Sequence, residues 1–206
     1  LGLGALLVEK VGSRDPRQAV NQFYAFAVPY VWIANAEQRE MGLHLRISDV
    51  QRIPAASVDP TAKNYHWNDL TMGLLGALDA GADSVLLVDA AANVVEGPGF
   101  NVFCIVHGTL VTPAEGMLEG ITRRTVIEMA RSLGLPVEMR ALPADELRRA
   151  QEVFISTSGG GVLPVTRVDE HPIGDGRPGP ITKRLAQTYW DWHADPTYSL
   201  PIDYAT

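Results

Sequence analysis

The stretch DSVLLVDAAANVVEGPGFNVFCIVHGTLVTP, residues 83–113, decides the fold of this chain. Its apolar runs predict four short β-strands in succession. The connections between them are a turn at Ala92-Asn93, a glycine-rich kink at residues 97–99 and a tight turn at His107-Gly108. Four strands joined so closely predict neighbouring strands of one sheet, and the rest of the chain has to be placed around it.

The segments outside this stretch predict further strands and helices without a regular strand–helix–strand repeat. The predicted strands are residues 43–53, 136–143, 152–158 and the aromatic run 21–34, which is typical of a buried strand interrupted by Pro29. The predicted helices are residues 67–80, 119–134, 144–150 and 177–193. This mixture favours an α+β fold with a curved, mostly antiparallel sheet and flanking helices.

The helix predicted at residues 67–80 follows from a regular apolar spacing. The positions that recur at helical intervals are Trp67, Leu70, Leu74, Leu75 and Leu78. We therefore expect an amphipathic helix with these residues on its apolar face, ending at Gly81.

Composition excludes several classes of function. The 206 residues are 46% apolar and 20% charged, and the net charge is −7 with no basic stripe, which argues against a nucleic-acid partner. The single cysteine, Cys104, excludes an internal disulfide framework and a zinc site built on several thiolates, and its apolar neighbours predict a core position. The five histidines show no metal-ligand spacing, so no metal site is expected.

The apolar runs also bear on the location of the protein. None approaches the length of a bilayer span, and the initial LGLGALLV lacks the flanking features of a signal peptide. A cytoplasmic location without membrane contact is therefore expected.

Lys63 stands in DPTAKNYHWNDLTMG, residues 59–73, just before the predicted helix. It is one of three lysines in a chain that has fourteen arginines. A lysine at the entry of a helix is usually a solvated charge, and this stretch alone favours that interpretation. The alternative, an amine nucleophile, needs support from other segments.

Glu96 lies in VVEGPGFNVF, residues 94–103, between two apolar strands. A carboxylate buried there is costly unless a cationic partner meets it. The other interpretation is a glutamate in solvent at the tip of a hairpin, with the neighbouring glycines serving only the turn. The sequence leaves both open.

Two segments could bind an anion. EGITRR, residues 119–124, opens a helix, so the N–H groups of Ile121 and Thr122 are free of helical partners and the Thr122 hydroxyl lies beside them. STSGGG, residues 156–161, places hydroxyls and unshielded backbone N–H groups after a strand. Arg123 and Arg124 are expected to face solvent or an interface.

Together these parts match the chemical requirements of pyridoxal 5'-phosphate. Its aldehyde needs an amine such as Lys63, its pyridine nitrogen needs a carboxylate such as Glu96, and its phosphate needs N–H and hydroxyl donors. A contact between carboxylate and pyridinium is charge-assisted and contributes about 1.5–3 kcal/mol.

The same segments resemble a known family. In order and spacing, AKNYHWNDL, VVEGPGFNVFCI, LEGITRRTVIEMA, EVFISTSGGGVLPVTRVD and GPITKRL resemble the class IV (fold type IV) pyridoxal-phosphate-dependent aminotransferases. That family includes branched-chain and D-amino acid transaminases, aminodeoxychorismate lyase and (R)-selective amine transaminases. The segments FAVPYVWI, EGPGFNV and YSLPIDY look most like the (R)-amine branch. The resemblance covers residues 20–204 and implies the large domain of the D-amino acid and branched-chain aminotransferase-like fold.

The resemblance also implies roles for single residues. Lys63 matches the Schiff-base lysine and Glu96 the carboxylate at the pyridine nitrogen. The other cofactor-binding positions that it implies are Phe100, Asn101, Leu118, Ile121, Thr122 and Ser158. The implied substrate-binding positions are Trp67, which would line the pocket, and Gly159 and Gly160, whose N–H groups would face a substrate carboxylate.

The resemblance further implies an organisation of the chain. Residues 21–206 match the large cofactor-binding domain, and residues 1–20 match an interdomain remnant or N-terminal edge. The small N-terminal domain of the family, which carries an arginine that clamps the cofactor phosphate, has no counterpart among the matched segments. Members of the family are homodimers, so a homodimer is expected.

The implied activity is the transfer of an amino group from a primary amine or amino acid to a keto acid such as pyruvate. Lys63 would form the Schiff base and, once released, move the Cα proton of the substrate. Alternatives are another class IV reaction, namely branched-chain or D-amino acid transamination or the lyase reaction, and a catalytically incomplete domain with this fold.

Overall fold

The computed structural model describes residues 2–10, 15–18 and 20–201. These residues form two compact units that divide between Ile33 and Ala34. The first unit contains a hairpin of β1 (Gly2–Lys10) and β2 (Val20–Val28), which pair antiparallel over their whole length. A short 3-10 helix, Pro16–Gln18, lies between the two strands. The division of the chain at residue 20 that the family resemblance implies stays a prediction.

The strand predicted over residues 21–34, with an interruption at Pro29, is partly confirmed. The strand ends at Val28, immediately before Pro29, which has no N–H to donate to a sheet. It does not resume after the proline, and Phe26, Val28 and Val31 are exposed. The interruption is therefore confirmed, whereas the predicted burial and the continuation to residue 34 are wrong.

The second unit is built on a nine-stranded sheet with five helices. Its strands are β3 (Leu43–Gln51), β4 (Ser84–Val88), β5 (Val94–Gly97), β6 (Phe100–Val106), β7 (Thr109–Thr112), β8 (Val137–Met139), β9 (Glu152–Thr157), β10 (Gly161–Val168) and β11 (His171–Pro172). Its helices are α1 (Ala36–Met41), α2 (Asn68–Asp79), α3 (Ile121–Ser132), α4 (Ala144–Arg148) and α5 (Pro180–Ala194).

The sheet curls back on itself. Hydrogen-bonded neighbours follow the path β11-β10-β3-β4-β5-β6-β7-β8, while β9 pairs with both β6 and β10. Strand β9 thereby closes a ring of six strands. Pairing is antiparallel except for β10–β3, β3–β4 and β7–β8, which are parallel. The prediction of an α+β fold with a curved, mostly antiparallel sheet is confirmed.

Turn chemistry explains the meander from β4 to β7. His107 and Gly108 both have positive φ, 48° and 77°, as a two-residue hairpin between right-twisted strands requires. Ala92 has φ of 61° in the turn after β4. The turns predicted at Ala92-Asn93 and His107-Gly108 are therefore confirmed.

Alternation along the strands gives the ring an inner and an outer face. The inner face holds an apolar cluster that includes Leu45, Leu86, Val102 and Ile155. Two further clusters lie on the outer face, one beneath α2 and one beneath α3 and α5. We call these the α2 cluster, with Leu87, and the α3–α5 cluster, with Phe103, Phe154 and Val162.

The apolar face predicted for α2 is partly wrong. Leu70 is buried as expected, but Leu75 and Leu78 are 58% and 51% exposed. The face that packs on the sheet instead uses Gly73 and Ala77. A Cβ at residue 73 would lie 2.7 Å from a methyl group of Leu87, so the glycine lets the helix approach β4 closely.

Candidate active site

A buried polar row separates the two outer apolar clusters. Directly paired residues across β4, β5, β6, β9 and β10 are, in order, Leu87, Glu96, Asn101, Ser156 and Val162. Leu87 belongs to the α2 cluster and Val162 to the α3–α5 cluster, whereas the three residues between them are polar. Glu96, Asn101 and Ser156 are only 5%, 5% and 1% exposed. Polar groups so deeply buried need hydrogen-bond partners.

Glu96 has the cationic partner that its burial requires. Its Oε1 accepts a hydrogen bond from Nε of Arg52 at 3.0 Å, and its Oε2 accepts one from the backbone N–H of Leu118 at 3.0 Å. The alternative of a solvent-exposed hairpin glutamate is thus excluded. Burial raises the pKa of Glu96 above its usual range, although the Leu118 N–H and Arg52 act in the opposite direction.

Arg52 also binds Asp69, and sequence reasoning identified neither residue. Nη1 of Arg52 donates to Oδ2 of Asp69 at 2.7 Å. The same oxygen accepts the backbone N–H of Ile53 at 2.8 Å. Arg52 follows the last residue of β3 and Asp69 lies in the first turn of α2. Only the need of Glu96 for a cation pointed to such a residue, and it gave no sequence position.

Lys63 lies in the loop between β3 and α2. The ion pair of Arg52 and Asp69 joins the two ends of this loop. The connection runs from Arg52 to Trp67, and Lys63 is exposed within it. Local hydrogen bonds shape the segment on both sides of the lysine: Asp59 accepts from the N–H and hydroxyl of Thr61, and Asn64 accepts from the N–H of His66. The exposed lysine therefore stands on a loop whose base is tied, through Arg52, to Glu96.

Asn101 and Glu96 hold the same peptide segment from two strands. Nδ2 of Asn101 donates to the carbonyl of Leu118 at 2.8 Å, while Glu96 accepts the N–H of that residue. The Leu118 carbonyl also accepts the N–H of Gly120, the residue before α3. The polar row thus fixes the approach to the N-terminus of α3.

The first segment predicted to bind an anion forms that N-terminus. The N-cap residue of α3 is Gly120, which makes no side-chain cap in the described part of the chain, and the N–H groups of Ile121 and Thr122 have no partner within the helix itself. Thr122 is buried, and its hydroxyl lies 3.5 Å from the hydroxyl of Ser158. The structure therefore brings together the two segments that the sequence suggested as separate anion sites.

The glycine turn after β9 is held in place from two sides. The hydroxyl of Thr157 accepts the N–H of Gly159 at 3.2 Å and donates to the carbonyl of Gly99 at 2.9 Å. Gly160 is buried. Trp67 lies on the other side of the same region, because a Cβ at Gly99 would be 3.6 Å from its indole ring. Both predicted substrate-binding elements therefore flank the strand kink at residues 97–99.

Phe100 and Arg123 occupy unexpected positions. Phe100 lies on the inner face of the ring, opposite the polar row, and its ring covers Gly97. Contact of Phe100 with a cofactor stays a prediction, and the position of its side chain on the inner face does not support it. Arg123, expected to face solvent or an interface, is only 3% exposed and donates to the carbonyl of Pro113 at 2.7 Å. This expectation is wrong because α3 turns the position into the protein.

The described residues offer no candidate for a metal site or a membrane span. Among them, no group of three or more histidine, cysteine, aspartate or glutamate side chains could hold a metal ion. None of the helices within residues 2–10, 15–18 and 20–201 is long and apolar enough to cross a membrane. The end of the YSLPIDY motif, residues 202–204, lies outside the described part of the chain.

The donor set fits a phosphorylated pyridine. A buried carboxylate suits a protonated ring nitrogen, and the hydroxyls with the start of α3 suit a phosphate. The fit also rests on Ser156, since its buried hydroxyl has no hydrogen-bond partner among the residues described. A polar ligand over the row would supply the partner that this hydroxyl, next to Asn101, lacks.

Comparisons with known proteins show the family to which this chain is similar. The sequence pattern of the family described as "Amino-transferase class IV" matches residues 6–168. The "Probable branched-chain-amino-acid aminotransferase" of Thermotoga maritima is 37% identical over 157 residues, which is 75% of this chain and 57% of that protein. The chain thus spans little more than half the length of this curated relative.

Solved structures show the same similarity. The branched-chain amino acid aminotransferase of Thermobaculum terrenum, in its holo form with pyridoxal phosphate, superimposes with a TM-score of 0.83 at 30% identity, covering 94% of this chain and 64% of that one. The branched-chain aminotransferase of Thermoproteus uzoniensis with norvaline gives a TM-score of 0.85 at 28% identity, covering 95% of this chain and 67% of that one.

Proposed function

Because the chain belongs to the class IV aminotransferases, we propose that it binds pyridoxal 5'-phosphate and transfers amino groups between an amino acid and a 2-keto acid. The observation that carries the proposal is the buried row of Glu96, Asn101 and Ser156 with its orphaned hydroxyl. The loop of Lys63 is tied to Glu96 through Arg52, and Thr122 and Ser158, whose hydroxyls lie 3.5 Å apart, are the residues we propose as the anion site. A carboxylate, an amine and a phosphate site are the three attachments that the cofactor needs.

When bound, the cofactor supplies an electron sink that stabilises the negative charge left at the substrate Cα after proton removal. The residues of the chain provide the rest. Thr122, Ser158 and the start of α3 would hold the phosphate, and Glu96 would hold the ring nitrogen in its protonated form. The Nζ of Lys63 would hold the aldehyde and, when released, accept the Cα proton and return it at the adjacent carbon of the cofactor.

For the substrate we propose a branched-chain amino acid as donor. Support comes from the names of the Thermotoga maritima relative and of the two similar structures, all of which are branched-chain aminotransferases. A second candidate is an (R)-amine with pyruvate as acceptor. It is favoured by the exposed aromatic side chains of Tyr65 and Trp67 on either side of His66, close to Lys63, and by the position of Trp67 beside Gly99.

The experiment measures amino transfer and cofactor binding in the same samples. The protein, loaded with pyridoxal 5'-phosphate, is given leucine with 2-oxoglutarate, or an (R)-amine with pyruvate, and the keto product is quantified. Lys63→Ala is expected to abolish both transfer and the visible absorbance of the protein-bound cofactor. Lys183→Ala, which changes an exposed lysine on α5, is the matched control and is expected to keep both.

The outcomes separate the alternatives. Leucine turnover supports the branched-chain assignment, and amine turnover without leucine turnover supports the second candidate. Cofactor binding that depends on Lys63 without transfer of any tested amino group indicates a catalytically incomplete domain. Retention of transfer in Lys63→Ala overturns the assignment of the nucleophile.

A further inference from the structure

Asp69, Arg52 and Glu96 form a linear ion cluster beside the polar row. Arg52 uses different nitrogens for its two partners: Nη1 contacts Asp69 at 2.7 Å and Nε contacts Glu96 at 3.0 Å. The side chains of all three residues are less than a tenth exposed, at 9% for Arg52, 8% for Asp69 and 7% for Glu96. Each contact therefore acts with little screening by water.

The charges of this cluster do not cancel. With both carboxylates ionised, two negative charges face one guanidinium, so one negative charge is unmatched. In the described residues, Arg52 and Asp69 are the charged groups that act on Glu96, from the residue after β3 and from α2 respectively, and the remaining close donor is the neutral N–H of Leu118. An unmatched buried charge is costly unless a further proton or cation arrives.

The arrangement decides which carboxylate carries the unmatched charge. Asp69 accepts from Arg52, from the N–H of Ile53 and from its neighbouring N–H of Leu70, three donors in all. Glu96 accepts from two donors. Its hydrogen bond to Arg52, at 3.0 Å, is longer than the 2.7 Å bond between Arg52 and Asp69. Asp69 is thus the better satisfied partner, and the excess negative charge resides on Glu96, which belongs to the polar row.

From this geometry we propose that Asp69 is a positioning residue for the proposed aminotransferase reaction. It takes up the charge of Arg52, so that Glu96 keeps an uncompensated negative charge for the protonated ring nitrogen of pyridoxal 5'-phosphate. Asp69 itself touches neither the cofactor nor the substrate. This inference rests on the proposed function, since it needs a ring nitrogen next to Glu96.

The directions of the pKa shifts agree with this division of roles. Burial on its own would raise the pKa of Asp69, but the hydrogen bonds from the Ile53 N–H and Arg52 outweigh this effect and bring the pKa below its usual range. For Glu96, burial prevails and raises the pKa. Two carboxylates on one arginine therefore differ, and the more basic one is the carboxylate that faces the site.

Asp69→Asn tests the proposal without a large change in shape. The amide oxygen can still accept the N–H of Ile53, but the charge on the partner of Arg52 is gone. Arg52 would then neutralise Glu96 alone, and the stabilisation of a protonated ring nitrogen would weaken. Asp169→Asn is the matched control, because Asp169 likewise joins an arginine, Arg148, to a backbone N–H of β3, that of Ile47, at 2.8 Å each.

The readout is a ratio of two cofactor affinities measured in the absence of substrate. One ligand is pyridoxal 5'-phosphate, and the other is its analogue with C–H in place of the ring nitrogen. Contributions from the lysine and the phosphate site cancel in the ratio, which isolates the ring nitrogen. We expect Asp69→Asn to lower the preference for the natural cofactor roughly tenfold, close to the lower end of the range for one charge-assisted hydrogen bond, and Asp169→Asn to leave it unchanged.

Arg52→Gln provides an independent test with the opposite sign. Removing the guanidinium leaves both carboxylates to attract the ring proton, so the preference for the natural cofactor is expected to rise. A purely structural role for the cluster predicts instead that both variants lower the affinity for both ligands equally. That result, or an unchanged ratio in Asp69→Asn, overturns the inference. If the unaltered protein binds neither ligand, the proposed function itself fails.

Discussion

Glu96→Gln changes one buried carboxylate into an amide of nearly the same shape. Glu96 accepts two hydrogen bonds, one from Arg52 and one from the N–H of Leu118. A glutamine has one oxygen and one NH₂ group, so it can accept only one of these bonds and must turn a donor towards the other. We therefore expect the substitution to destabilise the cofactor-free protein.

The structure sets the size of this effect. If the amide oxygen meets Arg52, the buried N–H of Leu118 loses its partner, at a cost of about 1–3 kcal/mol. If the oxygen meets Leu118, a bond to a charged guanidinium is lost, at a cost of about 1.5–3 kcal/mol. Either placement predicts a loss of about 1–3 kcal/mol in the free energy of unfolding at a pH where Glu96 is ionised and accepts both hydrogen bonds.

The difference in free energy of unfolding between the unaltered protein and Glu96→Gln should shrink as pH rises. Burial raises the pKa of Glu96 in the folded state, so the native protein holds a proton there that the unfolded chain releases. Between the usual glutamate pKa and the raised value, this group makes the native state progressively less stable with increasing pH. Glutamine lacks that titration, and the variant therefore loses less stability over the same interval.

Urea unfolding of both proteins across a pH series measures this dependence. Glu170→Gln, which removes an exposed carboxylate, serves as the control and is expected to follow the unaltered protein at every pH. A gap between Glu96→Gln and the unaltered protein that widens with pH would refute the reasoning, because it would mean that the native state favours the charged form. A variant as stable as the unaltered protein at low pH would refute the hydrogen-bond argument.

Three further predictions concern other buried groups. Thr122→Val should weaken binding of pyridoxal 5'-phosphate roughly tenfold but leave binding of unphosphorylated pyridoxal unchanged. Thr125→Val, at a partly exposed position of α3, is the control, and equal losses for both ligands would contradict a phosphate contact. Glu152→Ala should lower the free energy of unfolding by about 2 kcal/mol or more, because Glu152 caps α5 by accepting two N–H groups and a hydroxyl at the start of that helix. A change below about 0.5 kcal/mol in denaturant unfolding would contradict the capping role of Glu152. Cys104 should react with a thiol reagent only on unfolding, since burial raises its pKa to about 12; rapid reaction of the native protein would contradict its core position.

The central strands could be predicted because their signals are local. The turn at His107-Gly108 needs two residues that tolerate positive φ, and both stand together in the sequence. Closure of the ring of six strands could not be predicted from such local signals. It depends on pairing of β9 with both β6 and β10, and the pairing with β6 joins residues far apart in the sequence.

The face of α2 shows a limit of apolar spacing. Leu75 and Leu78 fit the helical pattern as well as Leu70 does, yet only Leu70 is buried. Contact with β4 is made through Gly73 and Ala77, small residues that permit close approach of the helix to the strand. Apolar periodicity does not reveal which side of a helix needs small rather than large side chains.

The candidate site was predictable by chemical type but not by all of its residues. Lys63, Glu96 and Thr122 stand in recognisable motifs, and the burial cost of Glu96 predicted a cationic partner. Arg52 and Asp69 lie 44 and 17 residues from their respective partners, Glu96 and Arg52, in segments without any motif of their own. Their roles follow only from the way in which β3 and α2 meet beside the polar row.

Reduction of the cofactor complex tests the central claim most directly. The protein is incubated with pyridoxal 5'-phosphate and treated with sodium borohydride, which fixes the bond between the aldehyde and an amine, and its peptides are then analysed by mass spectrometry. Attachment of the cofactor to Lys63, with none on the exposed Lys183 of α5, is the predicted result. Equal labelling of both lysines, or labelling that leaves Lys63 unmodified, would contradict the assignment of Lys63 to the site beside Glu96.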